Sequence, residues 1–331
     1  MNQGAGSKNA QERARTRKDM DGILNLNKPT GLTSHDVVDR VRTLSRIRRV
    51  GHAGTLDPMA TGVLLVCVGR ATRVSEYLMA GRKVYRAEIR LGVTTDTYDR
   101  EGQVVTESPV TATRSQVERA LAQFQGTIEQ IPPMYSAIKH RGVPLHRLAR
   151  RGIEVERKPR QVEIFRLELT GWDPPYCTME VTCSSGTYIR SLAHDLGGAL
   201  GCGAHLTALV RLASGAFWLE EATPLEELTA DTWQSFLLPI DAALANFPAL
   251  HLDARTAQRL CAGQAISAPA PLTDIAQEQE SKKGRLARVY DLVGHFLALA
   301  EYDPSTGLWR PRKVFFSPDS FQDNPCPLPA N

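Results

Sequence analysis

Apolar and polar residues alternate with a period of two along Tyr85-Arg86-Ala87-Glu88-Ile89-Arg90-Leu91, the pattern of a strand with one face in a core and the other in water. Gly22 to Asn27 reads as an earlier strand that runs into the turn Lys28-Pro29-Thr30-Gly31. Thr33 and Asp36 then make a capping box ahead of a Val37, Val41, Leu44 stripe, which predicts a helix over 34–46 with Arg40 and Arg42 off the buried face. Ser115 and Glu118 fit the same box and predict a helix that turns Val117, Leu121 and Phe124 inward. The unbroken apolar run Val63 to Val68 predicts a strand, and further strands are expected near 161–170 and 178–183, followed by a helix near 188–200. Strands mixed with separate helices imply an α+β domain built on a mixed, mostly antiparallel sheet with flanking helices.

The texture changes near residue 246. Asp253 to Leu260 predicts one short helix, and strands near 287–293, 295–302 and 308–316 with a turn at Asp303 to Gly307 predict a small β-rich module. The Pro/Ala/Gln/Glu/Lys stretch 267–285 reads as a flexible loop, residues 1–20 as a flexible basic arm, and the Pro-rich 318–331 as a disordered tail. The expected division is therefore an arm (1–20), a main domain (21–245), a β-rich domain (246–317) and a tail (318–331).

Composition narrows the class. The 331 residues are 42% hydrophobic and 23% charged, which excludes a disordered or fibrous chain. The longest tight apolar run falls far short of the ~20 residues that span a bilayer, and no signal segment opens the sequence. Six cysteines without a CxxC pair point to reduced thiols in the cytoplasm and to neither structural zinc nor disulfides. Cys202 and His205 have ligand-like spacing, but one pair without a second is poor grounds for a metal. The net charge of +4 hides an uneven distribution. Five basic residues lie in 1–20, four more at Arg42, Arg46, Arg48 and Arg49, and eight between Lys139 and Arg160 against only Glu154 and Glu156. Any one run is a candidate solvated face; three together imply a basic side that meets an anion.

The most unusual segment is Val50-Gly51-His52-Ala53-Gly54-Thr55-Leu56-Asp57-Pro58-Met59-Ala60-Thr61-Gly62. Asp57-Pro58 has two readings: a helix N-cap with proline at the first helical position, or a carboxylate aimed at a ligand that the glycines allow close to the backbone. This run resembles the active-site signature of the bacterial tRNA pseudouridine synthase B (TruB) family. Other segments resemble that family's motifs in order: Lys28-Pro29 with Gly31, Thr33 and Ser34; Tyr85-Arg86; Leu91-Gly92 with Thr95-Asp96-Thr97 and Asp99; Ile131 to Ala137; Ser185 to Arg190; and Leu200 to His205. The resemblance spans about 20–245. Met59 stands where the family usually has Leu, and Ser185 where it often has a basic residue.

The resemblance implies a pseudouridine synthase fold over 21–245, an RNA-clamping loop at about 134–160, and a PUA-like RNA-binding domain over 246–317. It implies isomerisation of a uridine in the tRNA T-loop (position 55 in tRNA numbering) by a cytoplasmic, monomeric enzyme whose partner is the tRNA T-arm, with no membrane and no metal. The catalytic residues it implies are Asp57, Arg190, which pairs with Asp57, and Tyr85, whose ring stacks on the flipped base. His52, Tyr188, Leu209 and Lys28 are implied near the substrate, with Lys28 equally suited to holding its strand-turn. Uridine isomerisation changes no oxidation state and gains no atoms, so it needs no cofactor. Without the resemblance, Tyr85 and Leu209 read as core and Arg190 as a helix-surface residue. A tRNA-binding or tRNA-folding module in which catalysis is secondary is the alternative; it needs the basic clusters but not Asp57, Tyr85 and Arg190.

Overall fold

The computed structural model of the protein describes residues 20–136, 138–268 and 285–316, with the backbone alone for His146. The arm, most of the 267–285 stretch and the tail lie outside the described residues. Contacts divide the chain into two units at Leu237/Leu238. The expected boundary at 245 falls later than this, because Asp241 accepts a hydrogen bond from the Tyr290 hydroxyl at 2.6 Å and so packs with the C-terminal strands.

The first unit is built on a large sheet. Its strands are β1 (Gly22–Lys28), β2 (Val50–Ala53), β3 (Thr61–Val68), β4 (Lys83–Leu91), β7 (Gly126–Gln130), β10 (Arg160–Asp173), β11 (Tyr176–Cys183), β12 (Ala204–Ser214), β13 (Phe217–Trp218) and β14 (Thr223–Pro224). The main order is β14-β1-β3-β12-β4-β11-β10-β7, with β2 added to β3 and β13 to β12. Pairing is antiparallel except at β1–β14 and β3–β12, so the sheet is mixed and mostly antiparallel as the alternation implied. β3 lies between β1 and β12 with Val63 to Val68 wholly buried, which is why its sequence runs apolar without alternating. In β4 the alternation holds: Tyr85, Ala87, Ile89 and Leu91 are buried, whereas Arg86 and Glu88 are exposed. Between β4 and β7 a two-stranded hairpin, β5 (Val93–Thr95) and β6 (Val104–Glu107), leaves the sheet.

Helices α1 (Ser34–Ser45), α3 (Arg114–Ala122) and α5 (Ile189–Ala199) contribute Val37, Val41, Val117, Leu121, Leu192 and Leu196 to one core with the inward residues of β1, β3 and β4; the six-residue α2 (Ser75–Ala80) precedes β4. The expected box at Thr33 and Asp36 caps α1, with Asp36 N donating to Thr33 Oγ1 (3.1 Å) and Thr33 N to Asp36 Oδ2 (2.8 Å). The box expected at Ser115 and Glu118 is displaced by two residues. Thr113 and Gln116 cap α3 instead, while Glu118 accepts an ion pair from Arg114 within the helix at 2.8 Å.

In the second unit β15 (Ala249–Leu252) pairs parallel with β16 (Leu286–Asp291), and β17 (Phe296–Asp303) and β18 (Leu308–Val314) continue antiparallel. The four-residue β15 was not among the three strands expected. The expected helix is α6 (Ala254–Cys261), capped by Asp253, whose Oδ1 accepts from Thr256 N at 3.0 Å. Leu252, Leu260, Val289, Leu297 and Trp309 fill this unit's own core.

Candidate active site

Asp57 sits in a loop fastened at nearly every residue. Arg211, wholly buried on β12, donates from Nη2 to Gly54 O (3.1 Å), from Nη1 to Thr55 O (3.3 Å) and from Nε to Val63 O (2.6 Å), so one guanidinium ties both flanks of the loop. Ser34 Oγ accepts from Leu56 N (2.8 Å) and donates to Leu56 O (3.1 Å). Pro58 O accepts from Gly31 N (2.8 Å) and from Lys28 Nζ (3.2 Å). Gly62, at φ +101°, lies so close to the Arg211 backbone that a Cβ there would stand 2.3 Å from its carbonyl oxygen. Asp57-Pro58 opens a tight turn closed by Ala60 N to Asp57 O (3.1 Å), and no helix follows, so the N-cap reading fails. The segment read as a loop from Val50 begins as strand β2, which carries His52.

Behind the carboxylate, Arg190 Nε meets Asp57 Oδ2 at 2.8 Å and Nη2 donates to Oδ1 at 3.0 Å, a two-point grip that fixes its plane. The same guanidinium reaches Asp99 Oδ2 (3.3 Å), Thr97 O (3.3 Å) and Tyr135 O (2.9 Å). Asp57 keeps 31% of its side-chain surface open, against 6% for Arg190 and 5% for Asp99. The open edge of the pair is therefore the Asp57 carboxylate. Protein crowds that carboxylate from the sides and pushes its pKa up by desolvation, against the pull of Arg190.

Tyr85 lies directly across from Arg211 on the paired strands, and Leu209 across from Ala87. Burial pushes the Tyr85 hydroxyl upward, with Arg211 pulling the other way. Tyr188 precedes α5, and its backbone is held in both directions by the buried Gln130 side chain, at 2.7 Å and 2.9 Å. Burial raises the Tyr188 hydroxyl as well. His52 is held below the usual imidazole range by burial and then by Arg211, so its ring is neutral at pH 7. Arg190 grips Asp57 directly and Lys28 Nζ reaches the neighbouring Pro58 O, while the negative charge of Asp57 adds to the upward push on the Tyr85 and Tyr188 hydroxyls.

Lys28 is fully buried and its Nζ donates to Pro29 O (2.8 Å), Leu32 O (2.7 Å) and Pro58 O (3.2 Å). With three donors on three carbonyls it holds the strand-turn and the Asp57 loop, the structural one of its two expected roles. Burial lowers its pKa to about 8. Lys28→Met is expected to lower stability by about 3 kcal/mol, because a buried ammonium and the three half-buried carbonyls it bridges lose their bonds, and to weaken tRNA affinity by no more than about threefold. Thermal unfolding and a filter-binding isotherm check the two parts.

Sequence reasoning assigned no role to Asp99, Gln130 or Arg211. Arg211 left a trace, since it occupies an inward position of β12 between Leu209 and Ala213, where an alternating strand otherwise carries apolar residues. His205 Nδ1 lies 2.9 Å from Val93 O, and no cluster of three or more metal-ligating side chains occurs among the described residues.

The mixed sheet and the Asp57–Arg190 pair agree with what the resemblance to a pseudouridylate synthase implies. Residues 42–189 match the model for the TruB family pseudouridylate synthase N-terminal domain, 190–245 the tRNA pseudouridylate synthase B C-terminal domain, and 248–315 the pseudouridine synthase II TruB C-terminal model. The chain belongs to the TruB family. It is 46% identical to the tRNA pseudouridine synthase B of Thiobacillus denitrificans over 90% of this chain and 97% of that one. It is 42% identical to that of Pseudomonas aeruginosa over 92% and 98%. Among solved structures, a chain from a Cbf5-Nop10-Gar1 complex superposes with a TM-score of 0.70 at 26% identity, covering 92% of this chain and 88% of that one.

Proposed function

We propose that the protein isomerises one uridine in the T-loop of tRNA, at position 55, to pseudouridine, with Asp57 as the catalytic group. The open carboxylate edge in front of Arg190 is the observation that carries this reading. The reaction breaks the C1′–N1 bond, joins C1′ to C5, takes the proton from C5 and returns one to N1. An ionised carboxylate suits a sugar carbon that becomes electron-poor as N1 leaves. The base must leave its stack to be reached. Tyr85, Tyr188 and Leu209 would line the pocket that receives it, with the Tyr85 ring against the uracil and its hydroxyl near C5. His52, neutral, packs against RNA beside the extruded base.

An unmodified tRNA transcript incubated with the protein and mapped by carbodiimide-dependent reverse-transcription stops is expected to gain one stop, in the T-loop. A stop elsewhere, or none, overturns the assignment.

The 134–160 segment supports the clamp. It contains a hairpin of β8 (Lys139–His140) and β9 (Val143–Pro144) and a one-turn helix α4 (Leu145–Ala149), so it is more ordered than a plain loop. Seven of its eight basic residues are exposed; Arg157 is partly buried on Pro132 O at 3.1 Å. Such residues position an RNA backbone without reading sequence. Affinity for tRNA is expected to fall about a hundredfold between about 50 and 200 mM salt. A flat salt dependence would remove the clamp from the reading. The C-terminal unit is assigned as a PUA-like RNA-binding domain, and the working form as a cytoplasmic monomer. No helix among the described residues is long and apolar enough to cross a membrane.

A further inference from the structure

We propose a second ligand site, for a nucleotide, on the sheet face opposite the one that carries Tyr85. Arg90 projects from β4 on that opposite face, since Tyr85, Ala87, Ile89 and Leu91 take the other. Strand register sets Arg90 directly across from Tyr176 of β11 on one side and from His205 of β12 on the other. Residues facing each other on antiparallel strands project to the same side, so a phenol, a guanidinium and an imidazole stand in one row. Asp173 of β10, directly across from Tyr176, and Arg100, from the turn between β5 and β6, complete an open cleft of about 610 Å³ over this row. That volume suits a small ligand.

The chemistry of the row selects the ligand. Arg90 Nε is buried with no hydrogen-bond partner, and neither the Arg90 nor the Arg100 side chain has a carboxylate partner among the described residues. His205 is 95% buried and spends Nδ1 on Val93 O, which leaves Nε2 for the cleft. Glu88, the nearby carboxylate on β4, accepts from the Thr207 hydroxyl at 2.7 Å. Asp173 remains at the rim as an acceptor. Unshared guanidinium donors beside the exposed Tyr176 ring match a phosphate joined to a ring. The rim carboxylate adds an acceptor for a base amino group. A free mononucleotide and a nucleotide within a single RNA strand share this chemistry. The site does not depend on the isomerase reading, because none of its side chains touches Asp57 or Arg190.

Isothermal titration calorimetry of the full chain with AMP, a single-stranded pentaribonucleotide and orthophosphate tests the proposal. AMP or the oligonucleotide is expected to bind, and Arg90→Gln and Tyr176→Leu are each expected to weaken that binding about tenfold. Pseudouridine formation by both variants should stay within about twofold of the parent, which also shows that they fold. Tighter binding of the oligonucleotide identifies the source as RNA; tighter binding of AMP identifies it as a free nucleotide. No binding at about 10 mM ligand, binding indifferent to both substitutions, or orthophosphate binding as tightly as AMP each overturns the site.

Discussion

Replacing Asp57 by Asn is expected to slow pseudouridine formation by about 10⁴-fold or more, while tRNA affinity stays within about threefold. The amide keeps the shape of the carboxylate and one oxygen for Arg190. Arg190 keeps Asp99, Thr97 O and Tyr135 O, so the fold has no reason to fail. What is removed is the negative charge on the open edge. Release of tritium from C5 in tRNA labelled at uridine, under single turnover, reads the step directly, and parental release by the variant would sink the role of Asp57. A tRNA-folding module would tolerate the change. The pH dependence has a defined sign. Activity needs the ionised form, and burial raises the Asp57 pKa above its ordinary 3.8, so the rate should fall as pH drops through a limb lying above that value. In Asp57→Asn that limb should vanish from the residual rate.

Those elements were legible in the sequence that bury one face against water on the other. The alternation of β4 and the stripe of α1 follow directly from burial, and β3 runs apolar because both of its faces are covered. The cap of α3 was misplaced because Thr113…Gln116 and Ser115…Glu118 satisfy the same four-residue pattern, and the choice depends on where Glu118 finds its partner. That partner is Arg114, one turn back. The short strands β2 and β15 carry too few residues to show a period, and β2 exists because β3 offers an edge to pair with. Such pairing is a property of the sheet and leaves little trace in four residues.

Asp57 and Arg190 are 133 residues apart, and no local pattern joins them. The resemblance to the TruB family paired them, and the grip shows why the pair is useful: one partner open, the other sealed. Arg211 belongs to the same design. Sequence marked it merely as a charge on an inward position, yet it fastens the Asp57 loop at three carbonyls and faces Tyr85. Buried cations can hold these turns because backbone carbonyls, pointing inward at the loop ends, supply the compensation that water gives at the surface.

Arg190→Lys is expected to cost about 10³-fold in the single-turnover rate, with little change in tRNA affinity. The ammonium keeps a positive charge near Asp57, so a role that were only charge neutralisation would survive the change. A guanidinium does more here. Its fixed fork meets two carboxylates and two carbonyls at once, and three tetrahedral donors on a flexible stem cannot reproduce that set. Asp57 would remain ionised but swing. Stability should fall by about 2 kcal/mol, since the buried Asp99 and the half-buried carbonyls of Thr97 and Tyr135 would be incompletely paired. The double variant Asp57→Asn/Arg190→Lys separates positioning from independent catalysis. If Arg190 acts through Asp57, nothing is left for it to position once the carboxylate is gone, and the double variant should be about as slow as Asp57→Asn alone. Losses that multiply would instead make Arg190 a group acting on the substrate in its own right.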